Sequence, residues 1–417
     1  MGAAKRFILT GSIILTLSNV SVRLLSYLFR VAMGRLLSPY EYGILNLALP
    51  LQFMIILLTS AGIAPSIAKF VSDAEKNRET LDILTASVVY YYTIGGLFLG
   101  AVFFILSGPL GILVFGDANA VLPLRLSALA MPFGIVVSVF TGIFQGMRKA
   151  HFMSGVLLFE QVLRVVFAVF LVVLGLGAAG GIAGSTLGFI VAVPFSLVLF
   201  KTLNLELGGR NYTVFKEVFW FSVPTSITAL SSFILAYADI LFIGYFMSPA
   251  DVGIYSAASP ASRLIFAFTM ALYAVLIPTV SQASAKGGNA AVKKYFRIAL
   301  LGLAAVVLPA TIFSILFSKQ IVTLLFTDIY LSAAPAFEIL VIGAAFLSLF
   351  MINSGIFQGL GRPGTPMKIL LIFASLDILM NLIFIPGYGI EGAAFATAFA
   401  SIGAGMVSTS LLVKYLR

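Results

Sequence analysis

Gly142-Ile-Phe-Gln-Gly146 recurs unchanged as Gly355-Ile-Phe-Gln-Gly359. Two more pairs keep nearly the same step. Leu37-Ser-Pro-Tyr-Glu-Tyr-Gly-Ile44 matches Met247-Ser-Pro-Ala-Asp-Val-Gly-Ile254, with Pro50 then matching Pro260, and Gly181-Ile-Ala-Gly184 matches Gly389-Ile-Glu-Gly392. The offset stays between 208 and 213 across these separated blocks, so the chain is a duplication. The repeated blocks read as architecture. Ser-Pro-x-x-x-Gly is a helix start, with Pro at the first helical position. Gly-Ile-Phe-Gln-Gly places two glycines one turn apart, as close helix packing in a membrane requires.

What is duplicated is set by composition. Of 417 residues, 61% are hydrophobic and 10% are charged, with a mean hydropathy of +1.12. Soluble domains carry about 25% charged residues. The chain therefore reads as an integral membrane protein, and the balance excludes a soluble enzyme, a disulfide scaffold, a disordered chain and a nucleic-acid binder. With no Cys and a single His, at position 151, thiolate chemistry and His-rich metal sites are excluded as well. A spanning helix needs about 20 mostly apolar residues, because lipid leaves no other partner for backbone polar groups. Charge-free stretches such as Ile83–Gly116, Leu126–Met147 and Ile298–Ser318 meet that need. With the charge-interrupted segments they make twelve expected helices, beginning near residues 7, 40, 81, 121, 152, 180, 212, 252, 292, 334, 365 and 390. The run Val165–Phe200 is expected to break between Gly175 and Gly181. The first apolar run continues through Arg23 to about Val31, which is too long for a signal-peptide core.

With the N-terminus inside, 18 of the 25 Lys and Arg fall in inner segments, three (Arg30, Arg35, Lys319) in outer segments and four (Arg23, Arg125, Arg164, Arg263) within helices. That asymmetry puts both termini in the cytoplasm and gives most of the net charge of +10 a topological use. Each half then holds six helices in one orientation: 1–203 as the N-lobe and 204–417 as the C-lobe, with the linker near residues 200–216. The expected fold is all-α, twelve transmembrane helices in two parallel-repeat six-helix lobes around a central cavity, with alternating access by rocking of the lobes.

Charges retained in lipid cost at least ~2.5–3.5 kcal/mol each and mark function by default. One group is cationic: Arg23 and Arg30, seven residues apart on the first helix, with Arg35 just beyond, and Arg263 in the eighth. Arginine suits bidentate phosphate binding, so a shared wet cavity with an anionic ligand is expected. The competing reading has Arg30 and Arg35 reaching to the outer interface. The other group is Asp239 in helix seven, Asp377 and Asn381 one turn apart in helix eleven, and Thr397 in helix twelve. Two carboxylates, an amide oxygen and a hydroxyl form a hard-oxygen set for Na⁺, or a carboxylate pair sharing a proton; a packing network is the alternative. Glu160 and Arg164, at i and i+4, read as a mutually neutralising pair. No Gly-x-x-x-x-Gly-Lys-Ser/Thr loop and no paired nucleophile and base occur, so an enzyme is not expected.

These features resemble the superfamily that joins multidrug and toxin extrusion transporters to polysaccharide and lipid II flippases. Ala238-Asp239 through Gly253-Ile-Tyr255, Arg263 and Pro278-Thr-Val-Ser281 look like the helix seven–eight signature of lipid II flippases. Arg23 to Gly43, with its Leu-Ser-Pro-x-x-Tyr-Gly turn, looks like the start of polysaccharide flippases. The resemblance covers almost the whole chain. It implies that Arg23 and Arg263 bind the diphosphate of a polyprenyl-linked sugar, and that Asp239, Asp377, Asn381 and Thr397 form a sodium site. Lipid II flippases continue for two further C-terminal helices, so the twelve-helix polysaccharide branch fits better. Drug exporters of this superfamily often carry a carboxylate in helix one, where this chain carries arginines that would repel cationic drugs.

The expected function is translocation of a polyprenyl-diphosphate-linked oligosaccharide from the inner to the outer leaflet of the cell membrane. Arg23, Arg30 and Arg263 hold the diphosphate, and Na⁺ or H⁺ at the oxygen set drives the cycle. No cofactor beyond a coupling Na⁺ is expected. The expected partners are the lipid-linked sugar, the bilayer and enzymes of glycan assembly. A cation-coupled multidrug exporter on the same fold is the alternative; a non-transporting scaffold and an enzyme acting on lipid-linked sugars rank below it.

Overall fold

The computed structural model describes residues 2–57 and 62–417. Every regular element among them is helical. In chain order these are α1 (Gly2–Leu36), α2 (Pro39–Leu57), α3 (Ala64–Ala74), α4 (Arg78–Pro109), α5 (Val121–Gly146), α6 (Ala150–Leu171), α7 (Gly177–Lys201), α8 (Tyr212–Phe246), α9 (Pro249–Ser262), α10 (Phe266–Leu316), α11 (Ser318–Leu325), α12 (Ala334–Gly359) and α13 (Gly364–Leu416). A helix or helical segment begins within about five residues of each expected start once α10 is divided at Gly288 and α13 at Gly389. Among the described residues, six helical runs are long and apolar enough to cross a membrane. Two of them, Ala150–Lys201 and Gly364–Leu416, have 52 and 53 residues, well over the length of one crossing.

Glycine breaks both long runs. Gly177 (φ 53°, ψ −141°) and Gly389 (φ 61°, ψ −139°) share a left-handed conformation that other residues adopt only at a penalty. The chain reverses there. A Cβ on Gly180 would sit 3.0 Å from the Leu171 carbonyl, and one on Gly392 would sit 2.5 Å from the Phe384 oxygen. Residues eight or nine apart in a continuous helix are separated by more than 10 Å. The expected break between Gly175 and Gly181 is therefore a helix-to-helix turn, and its repeat partner behaves alike.

The other repeated blocks also hold equivalent places. Ser38 and Ser248 cap the helices that follow them: the Glu41 amide donates to Ser38 Oγ at 3.3 Å, and the Asp251 amide to Ser248 Oγ at 3.4 Å. Around Ser248 the cap is reciprocal, because its own amide donates to Asp251 Oδ2 at 3.1 Å. The paired glycines press helices together. A Cβ on Gly146 would fall 2.6 Å from the Ala68 oxygen of α3, and one on Gly359 would fall 2.8 Å from the Ile277 oxygen of α10.

The chain divides into two compact units, Met1–Tyr237 and Ala238–Arg417. The division falls inside α8, past the connecting segment at residues 202–211, because that segment is bonded to α4. Arg78 donates to the carbonyls of Leu203 and Asn204, Asp82 Oδ1 accepts from the Glu206 amide at 3.0 Å, and Ser87 Oγ accepts from the Asn211 amide at 2.8 Å. The second unit is centred on an apolar cluster of Leu276, Val280, Phe296, Ile352, Ile356 and Leu412, contributed by α10, α12 and α13.

Candidate functional site

The first unit encloses a cavity of about 380 Å³ between α1, α2, α5, α6, α7 and the end of its α8 segment. Its floor is an ion pair. Arg164 Nε and Nη2 both donate to Glu160 Oε1, at 3.0 and 2.5 Å, from one turn further along α6. The two side chains are nearly fully buried, and the guanidinium lies between the Phe53 and Phe189 rings, 4.8 and 5.0 Å from their centroids. The pairing expected from the i, i+4 spacing is thus formed, and aromatic faces add to it. Its charges cancel. Arg30, half-buried on α1, also lines the cavity. Its Nη2 donates to the Tyr237 hydroxyl at 3.3 Å, and it makes no ion pair among the described residues. The described lining therefore carries one surplus positive charge. Arg23, two turns earlier on α1, is exposed and is not part of that lining.

The second unit brings the oxygen set together. Asp239, 3% exposed on α8, accepts from the Tyr255 hydroxyl at 2.7 Å through Oδ2 and from the Ile240 amide at 2.8 Å through Oδ1. Asn381 is fully buried on α13. Its Nδ2 donates to the Asp377 carbonyl at 2.9 Å and to Asp377 Oδ1 at 3.2 Å. Thr397, on the segment of α13 beyond Gly389, faces Asp377 and Tyr255 without completing a hydrogen bond to either. Asn381 Oδ1 and Thr397 Oγ1 are both buried and have no hydrogen-bond partner. Two orphaned oxygens beside two carboxylates are the donor chemistry a hard cation takes, and an unpaired buried acceptor is otherwise costly.

Arg263, half-buried in the 3₁₀ turn after α9, acts electrostatically on both Asp239 and Asp377. Two carboxylates and one guanidinium leave one negative charge. That residual charge fits a single monovalent cation or a single proton, because buried charge is tolerated only when compensated. Four of the residues singled out in the sequence thus meet in the second unit with Arg263 beside them. In the first unit, Arg30 lines the cavity and Arg23 does not.

Three participants carried no readable signal as partners. Tyr255 reaches Asp239 across 16 residues, and Tyr237 reaches Arg30 across 207. Neither spacing is periodic. Gln161, beside Glu160, was visible as an amide in an apolar helix, but only the cavity gives it a setting.

These features define an all-α integral membrane protein with a buried ion-pair cavity in one unit and an oxygen cluster in the other. The chain belongs to the polysaccharide biosynthesis protein family, whose model matches residues 8–284; a second family model, MatE, matches residues 224–383. It is 28% identical over 425 residues to the uncharacterized membrane protein MJ1375 of Methanocaldococcus jannaschii, covering 97% of each chain. It is 25% identical over 242 residues to the "Probable low-salt glycan biosynthesis flippase Agl15" of Haloferax volcanii, which spans 58% of this chain and 50% of that protein. Its fold is similar to that of the lipid II flippase MurJ (TM-score 0.78, 17% identity, 96% of this chain and 87% of that one) and of an inward-facing multidrug resistance MATE transporter (TM-score 0.77, 17% identity, 94% of each). Those of these proteins that carry a functional name are named as flippases or a transporter, and the chain is a membrane protein of the polysaccharide biosynthesis protein family.

Proposed function

We propose that the protein moves a polyprenyl-diphosphate-linked oligosaccharide from the inner to the outer leaflet by alternating access of twelve spanning helices, with both termini in the cytoplasm. The single observation that carries this reading is the surplus cation of the first-unit cavity. Glu160 and Arg164 cancel, so among the described residues Arg30, bonded only to the neutral Tyr237 hydroxyl, is left without a counter-charge and calls for an anion. The diphosphate supplies that anion, bound by Arg30, while the glycan extends from the cavity and the polyprenyl chain stays in lipid. The glycan-flippase name of the Haloferax relative supports the substrate class.

The coupling ion, Na⁺ or H⁺, is held by Asp239, Asp377, Asn381 and Thr397. Support comes from the orphaned Asn381 and Thr397 oxygens and from the one uncompensated negative charge beside Arg263. One positive charge moving inward gains ~2.3 kcal/mol per 100 mV of membrane potential, enough to bias a two-state rocker.

Reconstitution into liposomes with a defined polyprenyl-diphosphate sugar tests the reading. Leaflet exchange should depend on Arg30 and should stop in Arg30→Ala; undiminished exchange in that variant would sink the headgroup assignment. A cation-coupled drug exporter is the second reading, favoured by the MatE match over residues 224–383. Export of cationic dyes from cells, unaffected by Arg30→Ala, would establish it instead.

A further inference from the structure

The two halves treat the basic residues of their inner segments differently. In the first half Lys and Arg are interleaved with Asp73, Glu75, Glu79, Asp82, Glu206 and Glu217. Two ion pairs form there, Arg78 Nε with Asp82 Oδ2 at 3.3 Å and Arg148 Nη2 with Glu75 Oε2 at 3.9 Å. The second half has no Asp or Glu from residue 252 to 327, from 339 to 376 or from 392 to 417. Lys293, Lys294 and Arg297 on α10, Arg362 in the turn before α13, and Lys368 and Lys414 on α13 are all exposed, and none makes an ion pair among the described residues. Packing gathers them at one end of the second unit. Val292 and Phe296 of α10, Phe357 of α12 and Leu412 and Leu416 of α13 share one buried cluster. The Arg362 guanidinium lies 4.3 Å from the centroid of the Tyr415 ring, and Asn289 Nδ2 donates to the Tyr415 carbonyl at 3.4 Å.

Topology accounts for the cations but not for the missing acids, because Asp and Glu contribute little to orientation. A patch of one sign repels itself, so its retention calls for a counter-charge from outside the chain. The same helices say where that charge lies. Ile298 is one turn from Lys294, Leu301 from Arg297, Ile372 from Lys368 and Leu411 from Lys414, and all four apolar groups are exposed. On spanning helices such groups face acyl chains, which puts the cations at headgroup level on a lipid-facing perimeter. We propose that this end of the second unit is a docking surface for anionic phospholipid headgroups of the surrounding leaflet. Their phosphates supply the counter-charge that the first unit takes from its own carboxylates. The proposal does not depend on the substrate assigned to the first-unit cavity.

The chain's one tryptophan makes the test local. Trp220 is exposed on α8 beside Lys216 and Glu217, and reports lipid contact in the first unit. Tyr295→Trp combined with Trp220→Phe moves the reporter to an exposed position among Lys293, Lys294 and Arg297. Both forms of the full chain are reconstituted into phosphatidylcholine liposomes containing a fixed fraction of brominated lipid, either phosphatidylglycerol or phosphatidylcholine, and the ratio of quenching by the two gives the local preference. At position 295 the anionic lipid should be preferred about fivefold, the value of one basic group near an anionic surface. At position 220 the preference should stay under about twofold, because Glu217 offsets Lys216. Raising NaCl to about 1 M should bring position 295 to the value at 220, as should Lys293→Gln, Lys294→Gln and Arg297→Gln together. The unfolding temperature is recorded for the triple variant; should it unfold early, the salt response of the chain that keeps all three cations decides. Equal preferences at the two positions overturn the proposal, as does a preference at 295 that survives high salt. Absence of any anionic preference at 295 also overturns it, and leaves an acidic protein as the partner the patch fits.

Discussion

The two units solve the same problem with opposite residues. Each buries carboxylate and guanidinium groups among apolar helices. In the first unit the carboxylate and its arginine sit one turn apart on α6 and cancel, and Arg30 then tips the cavity positive. In the second, Asp239 and Asp377 come from different helices and share one arginine, so the cluster stays negative. Both units contain arginine and both contain acid, so residue type does not separate a net-positive cavity from a net-negative cluster. The count of charges left after pairing does, because a low-dielectric interior enforces compensation locally.

The sharpest way to break that comparison is to unbalance the paired half. Arg164→Ala strands a buried Glu160 carboxylate and should destabilise the protein by about 3–5 kcal/mol, read by thermal unfolding in detergent. Glu160→Gln with Arg164→Met should recover most of the loss, because no lone charge remains. Next comes the cation response. Raising Na⁺ to about a hundred times its dissociation constant should stabilise wild type by about 2.7 kcal/mol, and Asp377→Asn should abolish the Na⁺-dependent shift in unfolding temperature. A shift that survives in Asp377→Asn would remove the cation from the cluster. The surplus cation gives the third test. Arg30→Ala should weaken pyrophosphate binding about 10- to 100-fold, the range of a charge-assisted hydrogen bond, and leave the Na⁺ response intact. Arg23→Ala, exposed and off the lining, should change pyrophosphate affinity by less than about threefold. The smallest effect sharpens the repeat itself. Ser248→Ala should cost about 1 kcal/mol, and Ser38→Ala less, since it loses one capping bond rather than a reciprocal pair; chemical unfolding of the two variants side by side measures the difference.

How far the chain could be read depended on the range of each interaction. Helix starts were legible because capping and hydrophobic runs are local, and the Glu160–Arg164 pair because i, i+4 spacing places both on one helix face. The Asp377–Asn381 contact followed for the same reason. Tyr255 and Tyr237, the hydroxyl partners of Asp239 and Arg30, were not legible, since no periodicity links residues on different helices. Arg23 and Arg30 show the limit most plainly. A seven-residue step puts them on one side of α1, but only one of the two lines the cavity.

Composition, periodicity and the internal repeat determined that the protein is helical, duplicated and built for a bilayer, because those properties depend on transfer free energies and backbone bonding within single segments. The tertiary structure decided which buried charges cancel and which are left over. That balance is set by distances between side chains on separate helices, and it depends on packing rather than on the order of residues.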